Sequence, residues 1–264
     1  MDTRTTFADW QSPRPASAAT TPATAPRLSQ PLHRWDAYDA YLFDIDGTLL
    51  RCKDRIHFAS FAEAFQAVTG ERSSLDGITL HGNTDTAILQ QMLRRHAIAA
   101  SEAQHLIPQI LDAMQRIVFA RKHALVAQPT PGSFSALQSL QAHGKLLGVA
   151  TCNVESIGWL KLEICGQRDY FQFGAFCDVQ PQRAAILAHG AEQARALAGS
   201  QASICVIGDT PADIAAARAN SLPVLAVATG VYAQEHLRQH APEHLAASLQ
   251  ECLDAAAAAD AAQK

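Results

Sequence analysis

The sequence has no paired-cysteine spacing, no apolar run long enough to cross a bilayer and no excess of positive charge. Its six cysteines, Cys52, Cys152, Cys165, Cys177, Cys205 and Cys252, stand alone in a chain of 264 residues. With no CxxC pair and no zinc-finger spacing, a disulfide framework or zinc ribbon is excluded, and reduced thiols in a cytoplasmic protein are expected. With 25 acidic and 21 basic residues, a formal net charge of -4, the chain lacks the basic field of a nucleic-acid surface. It also lacks a charged segment followed by an apolar core at its N-terminus, the mark of a secretory signal, and nothing in it is long enough to span a membrane. The histidines show no metal-ligand spacing, so His57 and His81 read as structural or surface residues. No feature identifies a protein partner or an oligomeric state.

What is present is 48% hydrophobic residues, enough for a substantial core and for two domains. Residues 1–34 are rich in Pro, Ala, Thr and Ser without apolar periodicity and read as a disordered leader, in which Asp2 and Asp9 argue against organellar targeting. From Trp35 onward, short apolar strands alternate with helices. Tyr41–Phe43, Leu146–Ala150, Phe176–Val179, Ile204–Ile207 and Val224–Val227 read as strands, with helices such as Arg183–Leu197 between them. This spacing predicts an α/β fold, a doubly wound, mostly parallel sheet. Residues 50–126 are nearly all helical in pattern, with Ser101 and Gln104 placed as a capping box, and predict an inserted all-helical cap. The catalytic core is then 35–49 with 127–251, and 252–264 is an Ala-rich tail ending as helix.

Two strands deliver aspartates to their following loops. Asp44 and Asp46 follow Tyr41–Phe43, and Asp209 and Asp213 follow Ser203–Ile207. Loops at the carboxyl edge of such a sheet meet where ligands bind. Four carboxylates gathered there repel one another unless a cation or a shared proton intervenes, and oxygen ligands favour a hard cation such as Mg²⁺. A carboxylate facing a metal-bound phosphoryl group can attack phosphorus, while a second protonates the departing alkoxide and later deprotonates water. Thr151 and Asn153 end the second strand, where they suit either a grip on phosphoryl oxygens or a strand-to-helix cap.

The segments DIDGT, LLGVAT and GDTPAD, in that order, resemble the motifs of the haloacid dehalogenase-like hydrolases, specifically phosphatases with a helical cap between the first two motifs. The resemblance covers about residues 38–230. It implies Asp44 as nucleophile, Asp46 as general acid/base, the Ile45–Asp46 backbone in the metal and phosphate shell, and Thr48 orienting Asp46. Thr151 becomes the phosphate-binding hydroxyl, assisted by Asn153. Asp209 becomes a direct metal ligand, and Asp213 supports the site or binds through water, so the implied metal set is Asp44, Asp46, Asp209 and Asp213. Where many relatives have a lysine in a Gly-Lys-Pro sequence, this chain reads DVQPQRAAIL, and Arg183 takes that place ahead of Lys145 and Lys161. Arginine keeps the charge and changes its geometry.

The cap resembles those of phosphoglycolate-phosphatase-like relatives, with Gly82, Asn83, Thr84 and Asp85 forming their Gly-x-Thr-Asp turn. Thr84 and Asp85 then approach the substrate or cap the following helix. Arg51 and Lys53 meet an anionic leaving group or stand as hinge charge in solvent. The implied activity is Mg²⁺-dependent hydrolysis of a small phosphorylated metabolite, with phosphoglycolate as a candidate. Sugar phosphomutase, phosphonatase and a silent metal-binding module are the alternatives. A dehalogenase needs no comparable metal site, and a phosphonatase needs a cap lysine, for which Lys53 and Lys122 are the candidates.

Overall fold

The computed structural model of the protein describes residues 31–262, so the leader expected over 1–34 lies almost wholly outside the described residues. Within it, Leu32–Arg34 form a 3-10 turn packed on the C-terminal helix. The chain then runs β1 (Ala40–Phe43), β2 (Leu50–Cys52), α1 (Ile56–Thr69), α2 (Asp85–Arg95), α3 (Ala100–Ala120) and β3 (Ala127–Pro129). It continues α4 (Ser133–Ala142), β4 (Leu146–Ala150), α5 (Glu155–Cys165), β5 (Phe173–Ala175) and α6 (Arg183–Ala198). The last stretch is β6 (Ile204–Gly208), α7 (Pro211–Ala219), β7 (Val224–Val227), α8 (Gln234–Arg238), β8 (His244–Ala246) and α9 (Leu249–Ala262).

Six strands form one all-parallel sheet in the order β5-β4-β1-β6-β7-β8. The chain moves outward from β1 in one direction and then in the other. The carboxyl ends of β1, β4 and β6 therefore flank the switch point at which open α/β sheets bind ligands. Because side chains alternate across a strand, Tyr41 and Phe43 enter one apolar layer with Leu147, Val149, Cys205 and Ile207. Ala40 and Leu42 enter the other with Ala150, Ile204 and Val206.

Helices α1, α2 and α3 form the inserted cap, with Phe61, Phe65, Leu89, Met92, Ile110 and Met114 buried between them. The connections out of and back into the core are β2 and β3, a two-stranded antiparallel ribbon pairing Leu50 with Pro129 and Cys52 with Ala127. So residues 50–52, read from sequence as part of the helical stretch, are extended.

Two local expectations are corrected. The strand beside β4 is Phe173–Ala175 rather than Phe176–Val179. Gly148 has no side chain to obstruct the Phe173 ring, whereas Phe176 turns inward edge-on to Trp159, with ring centroids 5.0 Å apart. Helix α3 starts at Ala100 behind Ala99, with no side-chain cap, because buried Ala100 and Ala103 extend its apolar face toward the N-terminus. Ser101 and Gln104 are consequently exposed first-turn residues.

Phe65 is fully buried and its ring meets His96 at 4.9 Å. Phe65→Ala removes that filling from the cap core and is expected to cost about 3–5 kcal/mol. Urea unfolding of the purified variant measures the loss.

Candidate active site

Each functional side chain stands at the end of a strand or the start of a helix. After β1, Asp44 and Asp46 lie on a turn closed by Leu49 N–H donating to Ile45 O at 2.9 Å and Gly47 N–H donating to Leu50 O at 2.8 Å. Gly47 has φ +91°, and any Cβ there would run into the Asp209 carboxylate. A glycine is thus required where the first acidic loop crosses the second. The loop after β7 braces this turn: Thr229 Oγ1 donates to Gly47 O at 2.6 Å, and the Arg51 guanidinium donates to Thr229 O.

After β6 comes Asp209, then the start of α7, where Thr210 and Asp213 form a reciprocal cap. Thr210 N–H donates to Asp213 Oδ2 at 2.9 Å, and Asp213 N–H donates to Thr210 Oγ1 at 3.2 Å. The other Asp213 oxygen is held by Arg183, which opens α6 and also lies 3.4 Å from Asp44 Oδ1. After β4, the Asn153 amide donates to Thr151 Oγ1 and to Asp46 Oδ2, both at 2.8 Å. From the cap, Asp85 reaches the same loop: its N–H donates to Cys152 O at 3.1 Å, and its carboxylate accepts from Val154 N–H at 3.0 Å.

Among the described residues, Asp44, Asp209 and Asp213 can bring one oxygen each within 4.8 Å of one another, and all three are buried. Asp213 is paired with Arg183 and Asp46 with Lys161, which leaves Asp44 and Asp209 in excess. Burial raises the Asp44 carboxyl above its ordinary value, against the pull of Arg183, and nearby Asp46 adds to the rise. Burial and the charge of Asp44 push Asp209 up to about 7. Two desolvated carboxylates side by side are what one divalent cation would neutralise, and an all-oxygen donor set suits a hard one. The residues present therefore fit the expected metal. Asp46 is outside this cluster. Burial works against its charge, but the ammonium of Lys161 and the Asn153 amide outweigh it and hold the carboxyl below its ordinary value.

The Thr48 hydroxyl donates to Asp209 Oδ1 at 3.1 Å rather than to Asp46, as the sequence reading had it, and the residue is fully buried. Of the two places the sequence allowed, Thr84 takes the helix cap of α2, accepting from Ala87 N–H at 3.0 Å and donating to Pro181 O at 2.8 Å, so its hydroxyl is used within the fold. Lys161, set aside in favour of Arg183, is in the site as well: its ammonium donates to both Asp46 oxygens, at 2.9 and 2.7 Å. A signal for it existed, since Ile157, Lys161 and Cys165 share one buried line of α5. A lysine on such a line requires an anionic partner. His57 is also buried here, with Nε2 3.2 Å from Asp85 Oδ2.

Two connected spaces open between core and cap. A narrow one of about 80 Å³ is lined by Asp44, Thr151, Arg183, Asp209 and Asp85. A wider one of about 330 Å³ is lined by Arg51, Cys52, Phe58, His81 and Leu125. Asp46, His57, Phe58, His81, Lys161 and Asp209 border both. Lys53 and Lys122 are exposed and line neither.

The family profile described as "Haloacid dehalogenase-like hydrolase" matches residues 41–227, and the chain belongs to that family. Its catalytic fold and aspartate cluster are those of a phosphatase of this class. A phosphoglycolate phosphatase of Mesorhizobium japonicum is 24% identical over 205 residues, covering 76% of this chain and 87% of that protein. Among solved structures, CbbY from Rhodobacter sphaeroides in complex with phosphate superposes with a TM-score of 0.62 at 18% identity, covering 81% of this chain and 96% of that one. A predicted phosphoglycolate phosphatase from Haemophilus somnus gives 0.59 at 18%, covering 82% and 97%. At such identities the superpositions establish the fold. Among the described residues, no helix is long and apolar enough to cross a membrane.

The raised Asp209 carboxyl has a pH consequence. In the metal-free protein the folded state binds a proton more tightly than the unfolded chain, whose value is near 3.8. The contribution of Asp209 to stability is therefore greatest below that value and is lost as pH rises toward 7. A divalent cation replaces the proton, so Mg²⁺ should raise Tm more at pH 8 than at pH 5. Thermal melts of the wild type and Asp209→Asn at both pH values measure this, and the variant should lose most of the gain at pH 8.

Proposed function

We propose that this protein is a Mg²⁺-dependent phosphomonoesterase for a small phosphorylated metabolite, acting through an aspartyl-phosphate on Asp44. The observation that carries the reading is Asp44, in excess of its counter-charges, facing a cavity shared with Thr151, Arg183 and Asp209. Asp44, Asp209 and Asp213 would hold the metal. When bound, Mg²⁺ supplies neutralising charge for the carboxylates and the transferring phosphoryl oxygens.

Asp44 attacks phosphorus as the bond to the leaving oxygen breaks, and Asp46, a carboxylate at rest beside Lys161, takes the proton of the bound phosphate monoanion and passes it to that oxygen, releasing the alcohol. Asp46, again a carboxylate, takes a proton from water as the water oxygen attacks phosphorus. The acyl phosphate opens, Asp46 returns its proton to the departing inorganic phosphate, and Asp44 is restored. Thr151 and Arg183 bind the phosphoryl oxygens, Arg183 in the role of the usual lysine, and Asn153 holds Thr151 and Asp46 in register. Thr48 acts by fixing Asp209. Asp85 seats the cap on the loop after β4, and Thr84 caps the helix that carries Asp85.

Phosphoglycolate is the first substrate to try. The named activity of the Mesorhizobium relative supports it, as does a wider cavity bordered by Arg51, His57 and His81, suited to a small anionic leaving group. Lys53 and Lys122 stand outside both spaces, which disfavours a phosphonatase. A mutase shares the aspartyl-phosphate and would exchange phosphate between sugar phosphates without releasing it.

The test is phosphate release in Mg²⁺ from phosphoglycolate, sugar phosphates, nucleotides and pyridoxal phosphate. Wild type should release phosphate from at least one, and Asp44→Asn should lower kcat on the order of 10⁴-fold or more. Silence across the panel, or exchange without release, would sink the hydrolase reading.

A further inference from the structure

Lys161 has no part in the mechanism above, yet its contacts reach the group assigned as acid and base. Its side chain is 3% exposed, while the Asp46 side chain that it grips is 42% exposed. Lysine therefore supports Asp46 from the protein side, and Asp46 faces the space where a leaving group would sit. The ammonium has three N–H donors. It meets both Asp46 oxygens, Asn153 Oδ1 at 2.8 Å and His57 Nδ1 at 3.2 Å. Every donor is in use within the protein, so none is left for a substrate anion while Asp46 holds this position.

The partners of Lys161 are fixed in turn. Asn153 also donates to Asp46 Oδ2, so one carboxylate oxygen is clamped by two donors from α5 and the loop after β4. An ammonium can only donate, so His57 Nδ1 accepts, which leaves the ring N–H at Nε2 facing Asp85 Oδ2 at 3.2 Å. Asp85 is bonded to the core through Val154 N–H and Cys152 O. Polar contacts thus run from His57 of the cap through the buried Lys161 ammonium to Asp46 on the catalytic turn, with Asp85 3.2 Å from His57 Nε2 but not hydrogen-bonded to it.

We infer that Lys161 is a positioning residue for Asp46, holding the carboxyl group on the line to the leaving oxygen, with the cap completing its support through His57. The inference rests on the acid/base role proposed for Asp46. It has a consequence that a purely structural lysine would not share. A general acid matters most when the leaving oxygen is strongly basic and least when it departs readily as an anion. Disordering Asp46 should therefore slow poor leaving groups more than good ones.

The experiment measures kcat and KM in Mg²⁺ for a series of substituted phenyl phosphates, from phenyl to p-nitrophenyl. Wild type, Lys161→Gln, Lys161→Met, Asp46→Asn and the double variant Lys161→Gln/Asp46→Asn are compared. We expect the Lys161 variants to lose on the order of 10²-fold on phenyl phosphate in kcat/KM, which reports departure of the leaving group and not the shared hydrolysis of the aspartyl-phosphate. The loss should be clearly smaller on p-nitrophenyl phosphate, and Lys161→Gln should cause no further loss once Asp46 is Asn. The inference is overturned by an equal loss along the whole series, which would make Lys161 a substrate ligand, or by an undiminished loss in the Asp46→Asn background. Failure of both Lys161 variants to fold would reduce the residue to a stability element and likewise overturn it. An active wild type with any of these results leaves the phosphatase reading standing. A wild type that releases phosphate from none of these esters or of the metabolite panel overturns both.

Discussion

Asp44 and Asp209, two carboxylates buried side by side at one edge of a parallel sheet, are the constraint around which the rest of the site is arranged. Desolvation disfavours both charged forms, the charge of Asp46 adds to the rise of Asp44, and the charge of Asp44 adds to that of Asp209. The nearby cation Arg183 is divided between Asp44 and Asp213. Thr48 supplies a hydrogen bond to Asp209 that partly offsets the cost. Glycine at position 47 lets the two acidic loops approach at all, because a side chain there would occupy the space of the Asp209 carboxylate.

The acidic residues are consequently sorted rather than pooled. Asp213 is committed to the helix cap at Thr210 and to Arg183. Asp46 is drawn away from the cluster by Lys161 and Asn153. The remaining two carry the uncompensated charge and, with Asp213 beside them, form the place for a divalent cation. This division gives chemically similar side chains different environments, and carboxyl groups acquire distinct roles by that means. The helical cap takes part in the arrangement, since Asp85 and His57 bring its first two helices into the polar network around the catalytic turn.

Much of the fold was legible before any coordinates. The alternation of short apolar runs with helices indicated the doubly wound sheet, and the apolar period over the cap region indicated helices. Those signals survive because they come from burial repeated over many residues. What misled was local and weak. Phe176–Val179 looked as suitable for a strand as Phe173–Ala175, and the choice turned on where a phenyl ring fits beside Gly148. Ser101 and Gln104 matched a capping pattern, but burial of Ala100 and Ala103 decided where the helix began.

The site divides in the same way. Order and spacing of acidic and hydroxyl residues after apolar strands were enough to select Asp44, Asp46, Thr151 and Asp209, because a strand end fixes where its next residues emerge. The chain favoured Arg183 over Lys161, and the folded protein uses both, on different aspartates. The sequence by itself determined the sheet, the helical insertion and which loops carry carboxylates, since these depend on hydrophobic period and position relative to strand ends. Only the tertiary structure decided which cation meets which carboxylate, and that His57 and Lys161 belong to the site. Those outcomes depend on distances of a few ångströms between residues more than a hundred positions apart, where Coulomb and hydrogen-bond energies change steeply and sequence spacing carries no information.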